Sequence, residues 1–506
     1  MRFLKSQRLM LSRRLRRLAA AAAVVVLAQP LAGCFLPNEI VPAGIDVPNA
    51  YRYGPRHADA ALPSVIWWRG FRSKELTDLI EESLTSNFDV AAAVARIVQA
   101  DAQSRIAGAA LLPVVDLNGS AARSRGSQSI GSSDTSNGRS ERTTFGASLS
   151  ASYEIDFWGK NRALQRAAEE TAVATRFDRD VVALTTVVSV ANSYFQVLAA
   201  YDRLRIARDN LAAATRVLNL IKQRSDVGTA SALDVAQQES LVNIQRASIP
   251  PLEQTLRQTI AVLAVLVGRP PESVTVRAGS MNQIGVPPVT PGLPSDLIAQ
   301  RPDIREAEAL LASANANVFS ARAAFFPSIQ LTGEGGYQSA VLRTLLRPES
   351  AFFNLAAGLT QPLLDGARLQ GQLDFQKGRQ DELLQLYRKA IVNGFADVDR
   401  ALVAVQQTAR RERLQRDVVT SSRRAFEISE TRLREGTIDL VTLLSTQQTL
   451  FQAQDTLAQA RLDRLQAVVG LFQALGGGWQ KPNDDSRPGH AAKLRRASAG
   501  GGAAKP

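Results

Sequence analysis

Between residues 145 and 157 apolar and polar side chains alternate. Phe145, Ala147, Leu149, Ala151, Tyr153, Ile155 and Phe157 fall on one face, and Ser148, Ser150, Ser152, Glu154 and Asp156 on the other. A period of two is that of a β-strand with one apolar and one polar side. Upstream, Val115, Leu117, Gly119 and Ala121 alternate with Asp116, Asn118 and Ser120, and Pro113 divides them from a helical pattern over 73–111. The two strands predict a hairpin over about 113–157, closed by the polar loop GSQSIGSSDTSNGRSER. From Gly159 the period becomes helical and continues without proline to Gly228. Val187, Val190, Tyr194, Val197, Tyr201 and Leu204 make one apolar seam, and Leu184, Val188, Ala191, Phe195 and Leu198 a second beside it. Two seams require neighbours on two sides, as for a staff in a closed ring of helices. At 1.5 Å per residue this helix is about 100 Å long.

The pattern is then written again. ALLPVVDLNG, from 110, returns as AFFPSIQLTG, from 324, so that Pro113, Leu117 and Gly119 match Pro327, Leu331 and Gly333 at an offset of 214. Asp89 and Asp303 share that offset. Gly228-Thr229 matches Gly436-Thr437 and Gly268 matches Gly476, both at 208. A second hairpin is expected over about 327–364, with Ile329, Leu331, Gly333, Gly335 and Tyr337 on one strand and Phe353, Leu355, Ala357 and Leu359 on the other. A second long helix follows, its seam formed by Ile391, Phe395, Val398, Leu402 and Val405. The two copies span 73–268 and 294–476, joined by a proline-rich linker over 269–293. Each copy is expected to be one long helix beside two shorter stacked helices, with the linker and chain ends forming a belt. No stretch after residue 34 reads as a membrane-spanning helix. The hairpins can cross lipid only in a closed sheet. One chain supplies four strands, two chains would give a side-chain-filled barrel of eight, and three a wet barrel of twelve.

The N-terminus changes the picture. Residues 1–17 carry seven basic side chains and no acid, and an apolar run, LAAAAAVVVLAQPLAG, follows. This is a secretory signal over 1–33. Cys34, in LAGCF, is the single cysteine. With Leu31, Ala32 and Gly33 before it, it resembles a bacterial lipobox and is expected to carry diacylglycerol and an N-acyl chain, several chains anchoring where one would not. A lipidated arm over 34–72 follows, in which Trp67 and Trp68 are expected to anchor against the helices. Phe35 after the cysteine is compatible with outer membrane export, by the rule for bacterial lipoproteins.

The net charge of +13 first suggests nucleic acid. Most of it lies in the leader and in the tail over 477–506, whose composition reads as disordered, so no nucleic-acid partner is expected. With only His57 and His490, near the lipidated end and in the tail, neither a zinc cluster nor a Ser-His-Asp triad is expected. GARLQGQL, from Gly366, has a P-loop's glycine spacing but Gln372 in place of the lysine, and reads as a tight exit from strand to helix.

VIWWRGFRSKELTDLIEESLTSNFDVAAAVARIVQADAQ, SYEIDFWGKNR, VLVGRPP, QRPDIREAEALLASANANVFSARAAFFPSI and TIDLVTLLSTQQTLFQAQDTLAQARL, in this order, resemble the outer membrane factor (TolC-like) family, most closely its NodT/OprM-like lipoprotein branch. The resemblance covers roughly 34–480. It implies an α+β membrane protein, a homotrimer whose twelve-stranded β-barrel continues into a periplasmic α-helical barrel. It also implies a periplasmic adaptor and an inner-membrane pump of resistance-nodulation-division type as partners, outer membrane lipid around the barrel, no cofactor beyond the Cys34 lipid, and no catalytic activity. By the same resemblance Gly228, Thr229, Gly436 and Thr437 form the periplasmic entrance. Asp234 falls where TolC itself has an acidic residue that helps hold the entrance shut, while Thr442 and Ser445 fall where TolC has two pore-narrowing aspartates. Asp439 is a candidate replacement for them. Asp234 reads equally as a helix-start charge, and Thr442 and Ser445 as packing positions. Small-molecule efflux is the expected task, with protein secretion of type I as the alternative. An adhesion scaffold is the rival outside the family.

Overall fold

The duplication sets the order of elements. The computed structural model describes residues 44–48, 50–53, 64–125, 141–277, 279–289 and 292–477. The signal, Cys34, the 126–140 loop and the basic tail lie outside the described residues. In the first half, α1 (Lys74–Ser86) and α2 (Phe88–Ala109) lead to β1 (Val114–Arg125) and β2 (Glu141–Ile155), then to α3 (Lys160–Asp226), α4 (Ala232–Ala247) and α5 (Ile249–Val267). In the second, α6 (Pro294–Gln300) and α7 (Pro302–Ala323) lead to β3 (Ser328–Ser339) and β4 (Ala351–Thr360), then to α8 (Arg368–Arg434) and α9 (Leu440–Ala474). Helices α2 and α7 coincide at an offset of 214; α3 and α8, 67 residues each, coincide at 208. Strand register obeys the same two offsets. Val114 pairs with Ser152 in the first hairpin, and the positions that correspond, Ser328 and Thr360, pair in the second.

Three expectations are corrected. The helical pattern over 73–111 is broken at Asn87, whose backbone is extended and whose side-chain oxygen accepts from the amides of Asp89 (2.8 Å) and Val90 (3.0 Å), starting a new helix. The segment after Gly228 breaks at Ser248, because Pro250 and Pro251 have no N–H to continue the ladder. Phe157 lies beyond β2, exposed beside Asp156, which instead accepts from the amides of Asn161 and Arg162 (both 2.9 Å) at the start of α3.

A fourth concerns the membrane. By length and composition α3 does contain an 18-residue window apolar enough to cross a bilayer, with 56% of that window buried. Its apolar side chains are those of the packing seams, which explains the pattern without lipid. Val190, Ala191, Phe195 and Val197 are wholly buried, and Val187, Val188, Tyr194 and Leu198 nearly so. Fully burying a Val, Leu or Phe side chain stabilises by about 1.5–3 kcal/mol, so tertiary packing rather than helix propensity holds α3.

The chain divides into two compact units. One contains Ala107–Ala167 and Ala314–Gln380, hence all four strands, in the order β1-β2-β3-β4, each antiparallel to the next. Even-numbered positions form its polar side, where Asn118 Nδ2 donates to Ser150 Oγ (2.9 Å) and Ser148 Oγ to Glu334 Oε1 (2.8 Å). Trp158 joins the halves: it stacks on Phe326, centroids 4.6 Å apart, and its Nε1 donates to the Pro327 carbonyl (2.8 Å). Strands β1 and β4 are the sheet edges, and every residue of β1 is exposed.

The other unit holds 44–106, Ala168–Ser313 and 381–477. Its main core gathers the middle of α3, the arm residues Trp67, Trp68 and Phe71, linker residues Val276, Met281 and Ile284, and Phe472 near the end of α9. Trp67 stacks on Phe472 at 4.8 Å, the anchoring expected of it. The linker is pinned by charge as well. Asp202 accepts from Ser280 Oγ (3.1 Å) and the Met281 amide (2.9 Å), and Arg461 Nε donates to the Met281 carbonyl (2.9 Å).

Candidate functional site

The last turn of a helix leaves carbonyls without intrahelical partners, and a residue of positive φ lets the chain fold back onto them. Both long helices end this way. Gly228 (φ 77°) donates its amide to Ser225 O (2.9 Å) and Thr229 its amide to Arg224 O (2.8 Å). Gly436 (φ 74°) donates to Leu433 O (3.1 Å) and Thr437 to Arg432 O (2.9 Å). Each threonine hydroxyl adds a second bond to the same arginine carbonyl, at 3.0 and 3.1 Å. No atom lies within 4 Å of a Cβ built on either glycine, so glycine is needed here for φ rather than for space.

The helices that leave the tips both begin with a side-chain cap, reciprocal at α4 and made by the N-cap side chain at α9, with a hydroxyl and a carboxylate exchanged between the two places. At α4 the N-cap is Ser231 and the third helical residue Asp234: the Ser231 amide donates to Asp234 Oδ2 (2.8 Å) and the Asp234 amide to Ser231 Oγ (3.2 Å). At α9 the N-cap is Asp439, and Thr442 stands where Asp234 does in the first half. The Thr442 amide donates to Asp439 Oδ1 (2.9 Å). The Thr442 hydroxyl, and then its amide, hold the Asp439 carboxyl below the usual carboxylate range. Neither Asp234 nor Asp439 makes an ion pair among the described residues. Thr442 and Ser445 are exposed, and the Ser445 carbonyl accepts from Thr449 Oγ1 (2.8 Å).

Packing ties the two tips together. Ala214, Val217, Leu218, Ile221 and Val242 of the first half form one core with Phe426, Leu433, Leu440, Leu443, Leu450 and Phe451 of the second. Within it the buried Gln238 donates to the Ala214 carbonyl (2.9 Å) and faces Gln447 at 3.5 Å. Arg224 Nη1 donates to the Leu433 carbonyl (2.6 Å), one of the orphan groups at the end of α8.

A sequence model of outer membrane efflux proteins matches this chain over residues 79–269 and 293–477. The chain belongs to the outer membrane efflux protein family. It is 41% identical over 440 residues to the pyoverdine export outer membrane protein OpmQ of Pseudomonas aeruginosa, covering 87% of this chain and 92% of that one. It is 32% identical over 456 residues to the toluene efflux pump outer membrane protein TtgC of Pseudomonas putida, covering 89% and 93%. Among solved structures it is similar to the outer-membrane channel OprN (TM-score 0.81, 25% identity, 88% of this chain and 99% of that one). It is also similar to the MtrE outer membrane channel of Neisseria gonorrhoeae (TM-score 0.78, 26% identity, 87% and 97%). Its fold is therefore the α+β fold of these channels, and its place the outer membrane of a Gram-negative cell.

In this efflux protein the structure puts every tip residue expected from sequence at one of the two helix reversals, and it adds partners that sequence did not single out. Arg224, Gln238 and Gln447 contact groups more than 20 positions away, and no local pattern marks them. A buried Glu412 was missed too. Burial acts to raise its carboxyl, but the hydrogen bonds and charge of Arg464 (2.7 Å) and Arg416 outweigh this and hold it below the ordinary glutamate range. Arg461 reaches the same carboxylate at 3.3 Å. The arginine-rich run around residue 411 was the available signal.

Proposed function

We propose that this outer membrane efflux protein is the exit duct of a tripartite efflux system, receiving small molecules from a periplasmic adaptor and an inner-membrane pump of resistance-nodulation-division type. The observation that carries the reading is the likeness to a pyoverdine export protein along 92% of that protein's length. The duct is a homotrimer: four strands with two open edges cannot stand in lipid, and three copies supply the twelve strands of a wet barrel. Cys34 carries the lipid anchor. Gly228, Thr229, Gly436 and Thr437 form the periplasmic entrance, with Asp234, Asp439, Thr442 and Ser445 beside it. The acids are engaged in helix caps, so adaptor binding opens the entrance by favouring an outward arrangement of whole helices rather than by breaking an acid ring. Only a higher affinity of the adaptor for that arrangement supplies the work. The proposed organisation is a signal over 1–33, an arm over 34–72, repeats over 73–268 and 294–476, a linker over 269–293 and a tail over 477–506.

Accumulation of a fluorescent efflux dye in the native host with this gene deleted tests the reading. Higher accumulation, reversed by complementation, is the expected result; unchanged accumulation in a host stripped of its other outer membrane efflux proteins contradicts it. Radiolabelled palmitate should enter the wild-type protein and not Cys34→Ser. Label in the variant would place the lipid elsewhere.

A further inference from the structure

The connection between β3 and β4 is folded by hydroxyls and keeps its leucines in the open. The strands join their helices at one end of the sheet, through Val114, Ile155, Ser328 and Thr360, and this connection lies at the other. It consists of two short 3-10 turns, Leu342–Thr344 and Pro348–Ser350. The Thr344 hydroxyl donates to the Val341 carbonyl (2.9 Å), which leaves Ser339 Oγ to donate to Thr344 Oγ1 (2.6 Å). Ser350 Oγ donates to the Thr344 carbonyl (2.9 Å). Backbone amides close the rest, Arg347 to Thr344 O (3.2 Å) and Ser350 to Arg347 O (3.0 Å). Polar groups therefore hold the shape, and the apolar side chains are spared from it. Leu342 and Leu346 are 62% and 76% exposed, and Val341 is exposed beside them.

Ser339 fixes the side of the sheet on which the turn lies. It continues the odd-numbered, apolar face of β3 after Tyr337 and stands opposite Phe145 of β2. Its hydroxyl holds Thr344, so the turn is drawn towards that face and away from the polar one, which carries Ser148 and Glu334. Arg343 and Arg347, spaced as the two leucines are, are exposed and make no side-chain hydrogen bond or ion pair among the described residues. Glu349 is the single acid between Ser339 and Ala351. An apolar patch edged by uncompensated positive charge thus sits at the rim of the sheet's apolar side. A patch of this kind, which the fold itself does not use, marks a contact surface. Duplication does not account for it, because the loop at this place in the first half, GSQSIGSSDTSNGRSER, is rich in serine and contains no leucine.

We propose that the β3–β4 connection binds a phosphorylated lipid of the outer leaflet, with Leu342 and Leu346 against its acyl chains and Arg343 and Arg347 on its phosphates. The inference rests on the duct proposed above, in which the sheet's apolar face meets lipid and the helices lie in the periplasm, so that this connection is outermost. Chemistry narrows the occupant. A soluble anion would engage the arginines and leave the leucines in water, and an apolar solute would leave two guanidinium groups unpaired. An amphiphile with an anionic head satisfies both pairs. Guanidinium forks bind phosphate oxygens two at a time, and apolar side chains enter the boundary between head groups and chains.

Lipid titration of the full-length protein, extracted from outer membranes and washed free of bound lipid in detergent, tests the proposal. Native mass spectrometry counts the adducts formed with bisphosphorylated lipid A, with the same lipid after its phosphates are removed, and with inorganic phosphate. Wild type should hold lipid A, hold the dephosphorylated lipid about tenfold or more weakly, and take up no inorganic phosphate at matched concentration. Arg343→Gln with Arg347→Gln should lose the preference between the two lipids, and Leu342→Ser with Leu346→Ser should weaken both. Arg142→Gln, at the outer end of β2 on its polar side, is the control and should bind as wild type does. Equal binding of the two lipids by wild type, or an arginine variant that keeps the preference, would overturn the proposal. Displacement of lipid A by equimolar inorganic phosphate would overturn it too, assigning the arginines to a soluble anion. Dye accumulation in the same strains separates this site from the duct. Efflux restored by the wild-type gene, with no preference for the phosphorylated lipid, rejects the lipid site alone, whereas failure of that gene to lower accumulation rejects the duct as well.

Discussion

The two halves of the chain share a backbone and differ in chemistry at matching places. Where the first half buries Leu204, the second, 208 positions on, buries Glu412 among Arg416, Arg461 and Arg464. Asn87 and Arg301 reach equivalent carbonyls with different side chains. The caps after the tips exchange a hydroxyl and a carboxylate between the N-cap and the third helical residue. Gly159 (φ 80°) has Ala367 (φ 65°) as its counterpart at the exit from the sheet. The return arm is two helices in the first half and one in the second. What is kept is where the backbone must be and which carbonyl must be bound; the means of binding it are free to change.

The equivalence is most vulnerable at the close approach of the return arm to the helix break. In Gly268→Ala the new Cβ would fall deep inside the Ser86 carbonyl at positive φ, and the loss should be about 4 kcal/mol or more. In Gly476→Ala the Cβ would lie 3.0 Å from the Gln300 carbonyl, and about 1–2 kcal/mol is expected. Thermal dissociation of the assembled protein, read on gels, ranks the two; an equal shift would mean that the two approaches are the same.

Glu412→Gln should destabilise by about 3 kcal/mol, since it leaves three arginines around a group that no longer balances them. Leu204→Met, its apolar counterpart, should cost less than about 1.5 kcal/mol. The Glu412 carboxyl is depressed in the folded state, so its contribution is fully present above the unfolded glutamate value and is lost as pH falls through the folded one. Urea midpoints measured between neutral and acidic pH should therefore fall for wild type and flatten in Glu412→Gln. A parallel fall in both would mean that Glu412 has no part in the pH dependence.

A smaller effect is expected where the sheet unit hands over to the long helices. Gly159→Ala should destabilise by about 1–2 kcal/mol, while Ala367→Gly should stabilise by about 0.5–1 kcal/mol by relieving its positive φ. Opposite signs in denaturation midpoints are required. The least effect belongs to the exposed caps. Ser231→Ala should lose about 1 kcal/mol locally, and Asp439→Ala should speed hydrogen exchange at the Thr442 amide. In the wild type that protection should be present above the unfolded aspartate value and lost as pH falls through the depressed folded one, because the charged form accepts the bonds. Unchanged exchange at acidic pH would separate Asp439 from the cap.

Much of this architecture is legible in the residues alone. Alternation over 145–155 and 353–359 marks strands, and the double seam from Leu184 to Leu204 marks a helix with neighbours on two sides. Gly228 and Gly436 mark the reversals because positive φ has a residue signature. The break at Asn87 is readable in principle, since an asparagine before Phe88-Asp89 is an N-cap pattern, but the flanking helical period masks it. The apolar window in α3 is hidden in the same way, because its residues already serve as seams. Arg224, Gln238 and the arginines around Glu412 are beyond reach, as each depends on a neighbour brought close only by the fold.

If a duplicated half-module repeats around a closed ring, the number of strands in the barrel is fixed by the number of copies. Electron cryomicroscopy of the protein extracted from the outer membrane counts them. Twelve strands from three copies, the two halves alternating and β4 joined to the next copy's β1, is the predicted result. Eight strands from two copies, or a four-stranded sheet with both edges open, would contradict it.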